Sequence, residues 1–443
     1  MEASRYNIIS RIHESDDWFV VNLLSGNADI ADHAHIDMIN AGIEHDELVQ
    51  KGYVVDRADE ESRYRKAYLG FIESRDTDEI QFFYAPWYSC NFKCSYCYQA
   101  SYDEKKVVSQ EETIRAFYHY IDEEFKTRKK YVTLFGGEPL LPGKTVKDTV
   151  TLFLKEAAVN NLDMAVVTNG FHLTEYISVL KQARIREIQV TLDGLAETHN
   201  KRRPLHSGEG TFDRIVEGID HALDAGFPIN LRVVIDRDNM EELHELSDFA
   251  IQRGWTKNPL FKTQLGRSYE LHTCQKESGK LYSRLSMYQE LYAEIRKHPQ
   301  IMEFHKPAYS VSRFLFEQEE LPDPLFDSCP GTKTEWAFDY SGKIFSCTAT
   351  VGKTGEEVGT FYPEKAKNKE AIACWQNRDV LSIPECRECV LQMACGGGCG
   401  SVAKNTSGRL NSPDCRPVTG LLEMGMSLYF INNPAEETNV RTD

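Results

Sequence analysis

The chain has 443 residues, 41% of them hydrophobic, and a formal net charge of −17. That length suggests two or three domains, and the acidity argues against nucleic acid, whose phosphates need clustered Lys and Arg. There is no run of about 18 apolar residues to span a membrane, and Met1-Glu2-Ala3-Ser4-Arg5 lacks a basic-then-apolar export pattern, so a cytoplasmic location is expected.

Residues 1–75 read as a small α+β domain. Trp18 to Leu24 is a strand-like run closed by a Ser25-Gly26-Asn27 turn. Helical patterning follows from about Ile36 to Leu48, and Gly52 to Val55 looks like a second strand. A charged stretch, Asp56 to Lys66, leads into the next domain. Residues 1–80 hold 8 Lys and Arg against 18 Asp and Glu. The plain reading of that imbalance is a solvated surface; the sharper one is a docking face for a basic partner such as a peptide.

From about residue 79, strands and helices alternate. The candidate strands are Ile80–Tyr84, Tyr131–Phe135, Met164–Thr168, Glu187–Leu192, Ile229–Ile235 and Leu260–Gln264, with helices such as Glu111–Phe125 and Glu241–Arg253 between them. Repeated strand–helix units predict an α/β fold with a parallel sheet, and six units suffice for an open partial (β/α)6 TIM-type barrel over residues 76–310. Beyond about residue 325 the chain turns to short segments rich in glycine and cysteine, marking a third domain, 311–443, in which metal clusters replace part of a hydrophobic core.

The twelve cysteines point to the chemistry. Without an export signal, clustered cysteines read as metal ligands before disulfides. Cys90-x3-Cys94-x2-Cys97 directly follows the first barrel strand. Three close thiolates suit a [4Fe–4S] cluster and leave one iron open, as a catalytic metal site requires. A zinc ion is the competitor, but an odd triad with no nearby His fits it poorly.

Cys90-Asn91-Phe92-Lys93-Cys94-Ser95-Tyr96-Cys97 resembles the C-x3-C-x-aromatic-C motif of the radical S-adenosylmethionine (SAM) superfamily. The resemblance implies that SAM chelates the open iron and is reductively cleaved to a 5′-deoxyadenosyl radical, with the cofactor supplying the radical chemistry. It places Tyr96 near the adenine. Gly136-Gly137-Glu138-Pro139 resembles the family's GGEP motif, which contacts the SAM amino group. Thr168-Asn169-Gly170 ends the third strand, where the family contacts ribose or adenine. Thr191-Leu192-Asp193-Gly194 ends the fourth and resembles a Ser-Leu-Asp-Gly segment of peptide-modifying members, a likeness continued by His199, Arg203 and Gly210-Thr211-Phe212. Arg232, in the fifth strand, is a candidate partner for the SAM carboxylate, since guanidinium and carboxylate pair through two hydrogen bonds; an ordinary ion pair is its alternative. These motifs fall at the C-terminal ends of successive strands, the face where barrel enzymes gather catalytic groups.

Cys329-x12-Gly342-x4-Cys347, then Cys386-x2-Cys389-x5-Cys395-x3-Cys399, then Cys415, resembles the seven-cysteine SPASM domain, though Cys-x2-Cys pairs also serve zinc ribbons. With the SAM motifs, the resemblance covers residues from about 80 to 420. It implies two auxiliary iron–sulfur clusters of the [4Fe–4S] type, one on Cys329, Cys347 and Cys399, the other on Cys386, Cys389, Cys395 and Cys415. Two positions depart from relatives. Asp323 stands where some carry a further cysteine, which leaves the fourth ligand of the first auxiliary cluster open, with Cys374 the nearest spare thiol in sequence. Thr348 stands where sulfatase maturases carry an Asp base, and a hydroxyl cannot act as a base at neutral pH. Cys274 is given no role.

The resemblance therefore implies a peptide maturase that abstracts hydrogen from a ribosomally made precursor, forming a crosslink such as a thioether. Its expected partners are that precursor, docking partly through residues 1–75, and a low-potential electron donor of the flavodoxin or ferredoxin type. The alternatives are a sulfatase-maturase-like enzyme, a small-molecule dehydrogenase and, from another class, a non-catalytic iron–sulfur electron carrier.

Overall fold

A computed structural model describes residues 1–99, 110–268 and 279–432; Cys274 lies outside them. Six strands alternate with helices through the middle of the chain: β1 (Ile80–Ala85), β2 (Lys130–Leu134), β3 (Asp163–Thr168), β4 (Arg184–Thr191), β5 (Ile229–Ile235) and β6 (Phe261–Arg267). Each pairs in parallel with the next, in chain order. The strands lie where hydropathy puts them, with differences only at the ends, and β6 runs on to Arg267. The intervening helices cover the sheet with one apolar face. In Phe212–Asp224 the buried set is Phe212, Ile215, Val216, Gly218, Ile219, Ala222 and Leu223, the spacing of a single helical stripe.

The sheet does not stop at the barrel. Strand β7 (Glu335–Asp339) pairs in parallel with β1, placing Trp336 beside Phe82 and Phe338 beside Tyr84. Antiparallel β8 (Lys343–Phe345), β9 (Glu357–Thr360) and β10 (Ala366–Lys367) complete a ten-stranded sheet. The cysteine-rich region thus begins as an extension of the barrel sheet. The turn between β7 and β8 explains Gly342: it takes φ +84°, and a Cβ there would lie 2.0 Å from the Tyr362 carbonyl oxygen.

The N-terminal strands Ile8–Arg11, Trp18–Asn22 and Asn27–Ala31 form an antiparallel sheet of their own. The helical pattern expected from Ile36 to Leu48 is split into His33–Asn40 and Asp46–Gln50. Gly42 breaks it, with φ +64° and the Glu2 Cα only 2.9 Å from where a Cβ would sit. The charged stretch after Val55 is not a linker. It opens a 21-residue helix, Arg57–Thr77, capped by the Asp56 side chain, which accepts from the amides of Ala58 and Asp59. Its inner face is aromatic: the rings of Tyr64, Tyr68 and Phe71 surround the fully buried Phe326. The Tyr64 hydroxyl donates to Gln392 (2.7 Å) and that of Tyr68 to Asp379 (2.6 Å), so this helix packs on the cysteine-rich region. Among the described residues, no helix is long and apolar enough to cross a membrane.

Candidate active site

The Cys90–Cys97 loop follows β1 without regular structure, so its shape comes from neighbours. Phe92 bridges to Leu205. The Lys93 amide donates to the Pro204 carbonyl (2.9 Å), Ser95 to Arg202 (3.0 Å) and His206 to Asn91 (3.1 Å). The helix Ala196–Arg202 and the residues after it therefore clamp the loop. All three cysteines are partly buried. Burial, with Glu138 adding to it, pushes the Cys90 thiol up to about 12. Burial also carries Cys94 to about 11, although Arg203 pulls it back. As free thiols these groups stay protonated at neutral pH, and metal coordination is what removes such protons.

The motif residues meet around this loop. The Glu138 carboxylate accepts from the Thr168 hydroxyl (2.6 Å), the Asn169 amide (2.5 Å) and the Leu140 amide (2.8 Å), tying the end of β2 to the end of β3. Burial raises its pKa to about 7 against those bonds. Gly136 and Gly137 let backbone meet backbone. A Cβ on Gly137 would lie 2.1 Å from the Ser89 carbonyl oxygen, and one on Gly136 2.7 Å from that of Trp87. Pro139 is buried behind them. Asn169 reaches the loop itself, donating to Asn91 (2.8 Å) with Cys90 Sγ 3.9 Å away. Thr191 and Arg232 are register neighbours on β4 and β5, and the Arg232 guanidinium lies over Gly266 of β6.

Asp193 anchors a buried network. It accepts from Tyr96 (2.6 Å), Arg202 (3.2 Å) and the Val234 amide (3.0 Å), while Arg202 also pairs with Asp236 (2.6 Å). Burial alone would raise the Asp193 pKa, but Arg203 and Arg202 outweigh it and hold the carboxyl below its usual value. His199 Nδ1 accepts from the Asp193 amide (3.1 Å), so its proton sits on Nε2, facing the Thr211 hydroxyl (3.1 Å). Arg202, Asp236 and Asn239, whose side-chain amide donates to the Asp193 carbonyl (2.7 Å), were missed by sequence reasoning. Nothing in their spacing marks them, although Arg202 adjoins the motif residue Arg203.

The residues present fit the iron–sulfur cluster and SAM that the cysteine triad implies. Three buried polar atoms around the loop, Ser89 Oγ, Asn91 Nδ2 and Arg203 Nε, have no hydrogen-bond partner among the described residues, and neither does Arg232 Nε on β5. Buried polar atoms are rarely left so without a ligand to meet them.

The seven C-terminal cysteines fall into two neighbourhoods. Burial, then Glu335, then the thiols of Cys329 and Cys399 push Cys347 up to about 12. Burial and the thiols of Cys395, Cys415 and Cys389 push Cys386 up to about 11. Arg378, fully buried, holds the turn between Cys395 and Cys399 by donating to the carbonyls of Gly397, Gly398, Leu410 and Ser412 at 2.8–3.0 Å. Sequence reasoning missed it as well. Asp323 and Cys399 line one cavity of about 510 Å³, while Cys374 is exposed.

Residues 84–250 match the family model of the radical SAM superfamily. GTP 3′,8-cyclase of Saccharophagus degradans is 32% identical over 218 residues, 46% of this chain and 61% of that protein. The chain spans about half the length of the curated relatives it matches. Native anSMEcpe with bound AdoMet and Cp18Cys peptide superposes with a TM-score of 0.61 at 14% identity, over 81% of this chain and all of that one. Streptococcus suis SuiB bound to precursor peptide SuiA gives 0.51 at 14%, over 94% and 99%. At such identity these two structures share the fold. The cysteine triad at the end of β1 lies inside the segment, residues 84–250, that is similar to the radical SAM superfamily.

Proposed function

We propose that the chain is a radical SAM peptide maturase that introduces a crosslink, such as a thioether, into a ribosomally made precursor. When bound, the cluster and SAM supply a 5′-deoxyadenosyl radical that abstracts a substrate hydrogen. Cys90, Cys94 and Cys97 would hold that cluster. The unpartnered Nε of Arg232 suits the SAM carboxylate. Cys329, Cys347 and Cys399 would hold one auxiliary cluster and Cys386, Cys389, Cys395 and Cys415 the other, with reducing electrons coming from a flavodoxin- or ferredoxin-type donor.

The observation that carries the reading is the division of the C-terminal thiols into a three and a four, on an extension of the barrel sheet. Three further observations support it. The N-terminal helix packs on the cysteine-rich region. Strand Asn27–Ala31 pairs on one side only among the described residues, which leaves an edge that an extended peptide could join. The fold neighbours were solved with peptides. Thr348, whose amide donates to Glu335 (2.7 Å), offers no carboxylate of its own where sulfatase maturases use a base.

The likeness to a GTP 3′,8-cyclase supports a second reading, a small-molecule substrate at the same barrel. One assay separates them. Anaerobically assembled protein, SAM and dithionite are incubated with short peptides encoded beside the gene, or with GTP. Release of 5′-deoxyadenosine and loss of two hydrogens from a peptide are expected. Turnover of GTP alone would favour the second reading, and no 5′-deoxyadenosine with any substrate would defeat both.

A further inference from the structure

Two histidines and a buried carboxylate meet outside the elements that carry the cysteines. His244 lies on the helix Leu243–Gln252 after β5. Glu294 lies on the helix Arg284–Lys297, and His298 caps that helix one turn later. One ligand atom from each residue falls within 4.8 Å of the other two.

Three features make this more than a chance meeting. First, His244 Nδ1 sits 2.8 Å from the Glu241 carbonyl oxygen. A carbonyl only accepts, so Nδ1 carries the proton and Nε2 keeps its lone pair. Metal-binding histidines are typically oriented by such a bond from the other ring nitrogen. Second, the Glu294 side chain is only 6% exposed. Lys297 donates to its Oε1 (2.7 Å), while Oε2 faces His298 Nε2 at 4.0 Å, beyond hydrogen-bond reach. Third, the imidazole rings stack with centroids 3.9 Å apart and planes 8° apart.

We propose that His244, Glu294 and His298 form a binding site for a zinc-type divalent cation. Two imidazole nitrogens and one carboxylate oxygen are a common donor set for such an ion, with solvent completing the tetrahedron. Glu241 and Glu290, whose charges act on the adjacent Lys297, add to the attraction for a cation. Parallel rings aim their lone pairs side by side, so seating the ion turns the His298 ring about χ2, which its partial exposure permits, while His244 keeps its bond to the Glu241 carbonyl. The bound ion pins the helix after β5 to Arg284–Lys297. That second helix starts with Arg284, which pairs with Asp414 (3.0 Å), and Asp414 in turn accepts from the Cys399 amide (3.1 Å). The cation therefore braces a strut that leads to the cysteine-rich region.

The test uses the full chain with its iron–sulfur clusters assembled, washed with chelator, equilibrated with zinc chloride and passed through a desalting column. Elemental analysis should find one more zinc per chain in the parent than in His244→Ala or His298→Ala, with iron and sulfide equal in all three. The zinc X-ray absorption edge should show nitrogen and oxygen scatterers, and zinc should raise the thermal midpoint of the parent alone. Should either alanine variant lose iron, and so its fold, His244→Gln at the partly exposed position makes the same comparison. Equal zinc in parent and variants, or sulfur scatterers alone at the edge, would overturn the proposal.

Discussion

The Tyr96 hydroxyl donates to Asp193 at 2.6 Å and joins the cysteine loop to the end of β4. Arg203 donates to the same hydroxyl, and Arg202 to the same carboxylate. Tyr96→Phe removes one neutral donor and leaves the Asp193–Arg202 pair intact, so a loss of about 1–2 kcal/mol is expected. Asp193→Asn leaves Arg202, 4% exposed, without half of its compensation, and breaking a buried pair costs about 3–5 kcal/mol. Thermal unfolding of the cluster-loaded protein should rank Asp193→Asn well below Tyr96→Phe. Equal midpoints would mean that the network is not the anchor described.

Gly137 is required by its neighbours. A methyl group there meets two carbonyl oxygens, Ser89 at 2.1 Å and Tyr88 at 2.4 Å, and both are backbone atoms of the segment that leads into Cys90. Gly137→Ala must push that loop away, so iron content should fall while secondary structure persists. Gly70, in a helix with nothing within 4 Å of its added Cβ, is the control. Gly70→Ala should keep full iron and gain up to about 1 kcal/mol from helix propensity. Undiminished iron in Gly137→Ala would contradict the packing.

The barrel was legible because buried parallel strands read as short apolar runs. Ile229–Ile235 is found with the limits its hydropathy suggests. The cysteine motifs were legible because spacing is local. The helix Arg57–Thr77 was not, because its partly buried aromatic stripe consists of tyrosines and one phenylalanine among charges, and its partner Phe326 lies some 250 residues away. Arg378 was hidden for the same reason. A fully buried guanidinium that donates all its hydrogen bonds to backbone carbonyls, with the Asp327 carboxylate 3.8 Å away, leaves no local pattern in the sequence.

Buried His199 makes the fold sensitive to acid in a predictable direction. Burial, helped by Arg203, lowers its pKa from 6.5 to about 3. The folded state thus binds this proton less readily than the unfolded chain. The stability is intact above about pH 6.5 and is lost as pH falls from there toward 3, with a limiting slope of about 1.4 kcal/mol per pH unit. His199→Gln can keep both hydrogen bonds without titrating, so its stability should fall less steeply over that window. Parallel acid profiles for parent and variant would refute the assignment.

Phe326 is fully buried beneath three aromatic rings of the N-terminal helix. Phe326→Ala should cost about 3–5 kcal/mol through the cavity it leaves. The effect should be local, with faster amide exchange along residues 57–77 and little change in β1 to β6. Removing residues 1–75 outright would strip that helix from Phe326, so point substitution is the cleaner probe of what the N-terminal unit does. Uniformly faster exchange across the barrel would mean that the unit is not a separately anchored body.

The grouping of the C-terminal thiols makes a prediction about additivity. Cys347 sits with Cys329 and Cys399, whereas Cys386 sits with Cys389, Cys395 and Cys415. If each group holds one cluster, removing a single ligand should release that cluster, roughly four irons per chain. A second substitution in the same group should then release little more. Cys329→Ala, Cys347→Ala and the double variant should therefore share one reduced iron content, while Cys329→Ala combined with Cys386→Ala should lose about twice as much. The crossing order matters here, because Cys399 lies between Cys395 and Cys415 in sequence yet sits near Cys329 and Cys347. If Cys399→Ala proved additive with Cys347→Ala but not with Cys395→Ala, the two neighbourhoods would be wrongly drawn, and Arg378, which fixes the turn between Cys395 and Cys399, would be holding a single larger site.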